Sequence, residues 1–190
     1  MVSFEFSEIY FPHEEALWKE LDWLWIIDEE NIAADLFITF SDRKSRVNTK
    51  VVLPEIALLG ASFNICDTLK KLLQGEKDPY CELAMARYYF ELRLLESGDL
   101  TIQTNTLVTK PENNIRYYGG IPKDRVFENI TFEVNWNDFV LAAIAFQREA
   151  FHKVFSELPE LYDHEDQYTL NCFLDLIYEN EEILVKSLKR

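Results

Sequence analysis

With 190 residues, 48% of them hydrophobic, and 14 Phe, 9 Tyr and 4 Trp, the chain can bury a core without disulfides or metal, and it is no disordered acidic tail. A formal charge of −15 opposes binding to phosphate or to anionic membrane surfaces and favours attraction to something basic. The charge is lopsided: residues 1–42 hold eleven acids against Lys19 alone, and Val154–Val185 holds nine acids with no Lys or Arg.

Val2–Phe6 predicts an edge strand. His13–Trp25 reads as a short helix with Leu17, Leu21 and Leu24 on one stripe and Pro12 at its start, followed by a turn at Asp28–Asn31. Leu36, Ile38 and Phe40 alternate with Phe37 and Thr39, which predicts a strand. A polar loop, Asp42–Arg46, leads into a second strand at Val47–Leu53. Pro54 suits the first position of a helix that carries Ile56, Leu59, Phe63, Cys66, Leu69 and Leu73 and ends at Gly75. Gly60 inside that helix costs about 1 kcal/mol relative to Ala.

Arg87–Leu95 and Leu100–Thr106 flank Glu96–Asp99, a short polar gap containing Gly98, and read as a hairpin. Residues 107–125 form the longest irregular stretch. Ile130, Phe132, Val134 and Trp136 alternate with polar residues as a half-buried strand. Asn137 is placed as the cap of the next helix, whose inner stripe is Phe139, Ala143, Phe146, Ala150 and Val154 and which Pro159 ends. A last helix begins near Asp163 and buries Leu170, Phe173, Leu174, Ile177, Leu184 and Leu188. These elements predict a single α+β domain over residues 1–190, with a mainly antiparallel sheet, helices packed on one face and a C-terminal pair of helices.

Chemistry-bearing motifs are few. Cys66, Cys81 and Cys172 are odd in number, widely spaced and set among apolar neighbours, which predicts buried free thiols in a reducing compartment. With neither a signal-like start nor an eighteen-residue apolar run, the expected location is cytoplasmic. Glu149-x-x-His152 has metal-ligand spacing, but a di-iron bundle needs two such motifs and two further Glu residues. A solvated helix face explains it. His13, His152 and His164 have no companion at zinc-site spacing. No nucleophile elbow or phosphate loop is present, so no catalytic residue, cofactor or metal is assigned. Arg43, Lys44 and Arg46 with Lys50 make only a small basic patch, and nucleic acid is not an expected partner.

Two acidic clusters carry aromatics. Trp18, Trp23 and Trp25 stand among acids that include Glu29 and Glu30. Tyr162, Asp163, Glu165 and Asp166 begin the second cluster, which continues through Asp175 and Glu179 and also offers Tyr168 and Tyr178. Aromatic anchors ringed by charge suit capture of an oppositely charged protein. The expectation is therefore a non-enzymatic module that binds a basic protein partner, with neither nucleic acid nor membrane involved. In size and charge the chain resembles bacterial immunity proteins, which neutralise basic nuclease toxins by covering the active site. That likeness rests on no residue string and transfers no site residues. The alternatives are a small-ligand protein or enzyme with a pocket near 107–125, mouthed by Arg116, Tyr117 and Tyr118, and a homo-oligomeric structural protein.

Overall fold

The computed structural model describes residues 1–10, 32–44, 48–84, 88–107, 115–117, 127–159 and 167–188. The predicted helix at 13–25 and the turn at 28–31 lie outside these residues, as does most of 107–125. Eight strands are described: β1 (Val2–Phe6), β2 (Ala33–Ser41), β3 (Asn48–Ala57), β4 (Tyr80–Ala84), β5 (Tyr88–Leu94), β6 (Asp99–Leu107), β7 (Ile115–Tyr117) and β8 (Phe127–Asn135). Three helices accompany them: α1 (Leu58–Leu73), α2 (Trp136–Glu157) and α3 (Gln167–Ser187).

The strands form one sheet in the order β1-β2-β3-β7-β6-β5-β4, with β8 paired to β6 as well. Every pairing is antiparallel except β3 with β7. The short β7 joins a β1-β2-β3 half to a β4-β5-β6-β8 half. At the opposite corner the Asp42 carboxylate accepts the Glu133 N–H at 2.8 Å, and the Arg43 N–H donates to the Glu133 carbonyl at 2.8 Å. Arg43 also pairs with Asp99, and Lys50 lies 4.6 Å over the Phe37 ring, so these members of the basic sequence patch serve the sheet itself.

Strand alternation decides which side is core. Leu36, Ile38 and Phe40 on β2 are fully buried, whereas Phe37 and Thr39 are half-buried on the other face. Ile102 on β6 and Val134 on β8 face the same core. The predicted hairpin forms as β5 and β6, with Gly98 at φ +82° in its turn, a conformation that favours glycine.

Two boundaries differ from expectation. The β3 strand runs through Pro54 to Ala57, and α1 starts only at Leu58. The β2–β3 register jumps from Ala34↔Ile56 to Leu36↔Leu53, so Pro54 and Glu55 stand at a bulge, where proline's missing N–H interrupts no ladder bond. Helix α2 begins at Trp136, and its cap is Asn135, whose Oδ1 accepts the Asp138 N–H at 3.2 Å. Replacing Asn135 with alanine is expected to cost about 1 kcal/mol, read as a lower urea midpoint at unchanged slope.

Helix α1 ends as anticipated at Gly75, φ +93°. The Gly75 N–H reaches the Leu72 carbonyl and the Glu76 N–H the Lys71 carbonyl, both at 3.1 Å, which satisfies the helix end.

Both C-terminal helices lie on the covered side of the sheet, in two tiers. Helix α2 packs over β1, where Phe4 stacks on Phe146 at 5.2 Å and meets Phe139 edge-on at 5.7 Å. Helix α1 lies beside α2 and against β4 and β5. Helix α3 rests on α1 and α2, with Phe173 5.0 Å from Phe63 and 5.6 Å from Phe151. One hydrophobic cluster runs through sheet and helices. Among the described residues no helix is long and apolar enough to cross a membrane.

Candidate partner-binding face

The outer tier presents one helix to solvent. Among the described residues of α3, Leu170, Ile177 and Leu184 are the buried apolar side chains, and Phe173, Leu174 and Leu188 pack against the core beside them. The 3.6-residue repeat then sends Asp175, Tyr178, Glu179 and Glu182 outward. Tyr178 is 66% exposed, with Asp175 and Glu182 one turn to either side of it and Glu179 next to it. Leu176 and Val185 are also exposed on this helix.

Charge on this face is only partly compensated. Lys186 bonds Glu182 at 2.5 Å and holds its carboxyl below the usual carboxylate range. Glu181, on the side turned toward α2, is taken up by a two-bond contact with Arg148. Asp175 and Glu179 have no ion-pair partner among the described residues. A carboxylate pair beside an exposed phenol can meet a Lys or Arg from another molecule at little desolvation cost.

Of the residues singled out by sequence, the structure brings Asp175 and Glu179 together on α3, one turn apart. Trp18, Trp23, Trp25, Glu29 and Glu30 lie outside the described residues, as do Tyr162, Asp163, Glu165 and Asp166. The fourth indole, Trp136, is buried, and its Nε1–H donates to Ser187 Oγ at 3.1 Å. It serves the core. Cys172 departs from expectation: it is exposed, while Cys66 and Cys81 are buried, and all three are free thiols. Burial pushes the Cys66 thiol strongly upward and Cys81 up to about 12, so neither is an activated nucleophile.

Glu149 and His152 are both exposed on α2, and among the described residues no group of three His, Cys, Asp or Glu side chains could hold a metal ion.

The uncovered face of the sheet holds a feature not anticipated from sequence. Tyr80 and Tyr89 stack at 4.9 Å across β4 and β5, with Glu82 and Glu91 at neighbouring outward positions. The period-two spacing of Tyr80 and Glu82 against buried Cys81 and Leu83 was the available signal. Arg93 interrupts the acidity there, bound through two nitrogens by Asp78 at 2.6 and 2.9 Å. Asp78 itself sits at φ +48°. The mixed charge makes this face a poorer match for a basic partner than α3. Comparison with protein-family models, with curated proteins and with solved structures gives no match.

Proposed function

We propose that this protein is a non-enzymatic binding module that captures a basic protein through the outer face of α3, acting as an immunity-type inhibitor of a partner such as a nuclease toxin. The observation that carries this reading is Tyr178, two-thirds exposed between Asp175 and Glu182, with Asp175 and Glu179 left unpaired among the described residues. A net charge of −15 extends the attraction beyond the contact itself and speeds encounter. The exposed phenol supplies apolar area at low conformational cost once the partner has arrived. The three tryptophans at 18, 23 and 25 and the acids at 162–166 are proposed to belong to the same function, as further anchors. The proposed setting is cytoplasmic.

The test is capture from the source cell on immobilised protein, at low salt and at about 0.15 M, where the screening length falls to about 8 Å. A basic protein should be retained by the native chain at low salt, retained less at the higher salt, and lost on Asp175→Lys with Glu179→Lys. Equal capture by the native and charge-reversed chains would refute the α3 face as the contact.

A further inference from the structure

We propose that α3 is a latch, which lifts from α1 and α2 as a unit ahead of global unfolding and thereby uncovers Cys66 and the surface between Phe63 and Phe151. Three observations converge on it, none of which concerns the acidic outer face. First, α3 stands in the outer tier, leaning on α1 and α2, whereas those two helices are the ones packed on strands. Its departure leaves the contact between sheet and inner tier in place.

Second, the seam beneath α3 is mismatched. Of the described α3 residues, Leu170, Ile177, Asn180, Leu184 and Ser187 are buried. Ser187 Oγ accepts from Trp136 and donates to the Leu184 carbonyl, which leaves Asn180 as the unmatched polar residue, and the buried set of α2 is apolar except for Gln147. Helices α2 and α3 run antiparallel, with Trp136 bonded to Ser187, Arg148 to Glu181 and Phe151 against Phe173. That register sets Gln147 level with Asn180. Both side chains are at most 1% exposed, and Gln147 Nε2, Asn180 Nδ2 and Asn180 Oδ1 all lack a hydrogen-bond partner among the described residues. A docked helix that strands three polar atoms gains them water when it lifts.

Third, Arg148 and Glu181 bridge the seam at its edge, with Arg148 66% and Glu181 19% exposed, so water reaches the guanidinium and can replace the contact as the helix lifts.

The cysteines supply a graded readout. Cys172 is exposed on α3 itself. Cys66 is fully buried one turn after Phe63, the ring of α1 that meets Phe173. Cys81 lies between β4 and α1, near Thr68, and opens only when the inner tier leaves the sheet.

The experiment is thiol labelling of the full chain with a small aromatic disulfide at neutral pH, each site resolved by mass spectrometry, at several urea concentrations below the unfolding transition. Cys172 should react at once. Cys66 should follow at least tenfold faster than Cys81, with a shallower urea dependence, because lifting one helix exposes less surface than unfolding. Asn180→Leu removes two of the stranded atoms and should slow Cys66 labelling roughly tenfold. The latch is overturned if Cys66 and Cys81 react together with the same urea dependence in the native chain. It is equally overturned if Asn180→Leu folds and leaves the Cys66 rate unchanged.

Discussion

Replacing Phe40 with alanine is expected to remove about 3–5 kcal/mol of stability, a large part of what a domain of this size possesses. Phe40 is fully buried, stacks on Phe132 at 4.5 Å and meets Phe90 edge-on at 6.2 Å. Those three rings come from β2, β8 and β5, the two halves of a sheet joined otherwise by the three residues of β7 and by the bonds of Asp42 and Arg43 to Glu133. Removing the ring leaves a cavity where the halves meet and forfeits two aromatic contacts worth about 0.5–1.5 kcal/mol each beyond their area. The backbone on either side is fixed by full ladders, which limits how far the site can collapse. Thr39→Ala, one residue along and half-buried on the opposite face, is the control, with an expected change of about 0.5 kcal/mol. Urea unfolding of the two variants measures the difference. A Phe40→Ala loss below about 1 kcal/mol would mean that the halves do not depend on this cluster.

Alkaline pH should weaken the fold through its two buried thiols. Burial raises Cys66 and Cys81 above the ordinary value of 9.0, with Cys81 reaching about 12. In the unfolded chain both ionise near 9, so the native state holds protons that the unfolded state releases. Stability is then fully present below pH 9 and declines as pH rises toward the folded value, by up to about 1.4 kcal/mol per pH unit for each thiol. Urea midpoints taken from pH 8 to about pH 10.5 should fall for the native chain and fall less steeply for Cys66→Ala with Cys81→Ala. Parallel curves would show that the thiols stay neutral in neither state more than the other.

The elements legible in the sequence were those in which a residue's neighbours in the chain decide its environment. The alternation through Leu36, Ile38 and Phe40, the inner stripe of α2 and the hairpin around Gly98 all have that character. Pro54 misleads because proline suits a helix start locally, and only the pairing of β3 with Ala34 and Leu36 on another strand shows that a bulge is being accommodated. Asn135 and Asn137 are equally good caps by composition, and the difference shows only in the helix start at Trp136, where Asn135 Oδ1 accepts the Asp138 N–H. The three residues of β7 pair in parallel with β3, far earlier in the chain and beyond any window of periodicity.

For the candidate face, Asp175 and Glu179 were visible as acids one turn apart. The phase of Leu170, Ile177 and Leu184 also places Tyr178 and Cys172 outside. The apolar neighbours of Cys172 pointed the other way because composition ignores phase. The stranded amides of Gln147 and Asn180 were not legible, since polarity inside a helix looks like exposure until a second helix covers it.

Association kinetics of the captured basic partner address the binding claim most directly, measured from low ionic strength to about 0.15 M with the native chain and with Asp175→Lys, Glu179→Lys and Glu182→Lys combined. Electrostatic capture on α3 predicts a native rate that falls at least tenfold as salt rises, and a charge-reversed rate that starts low and changes little. Equal rates for the two chains at every salt concentration would contradict it.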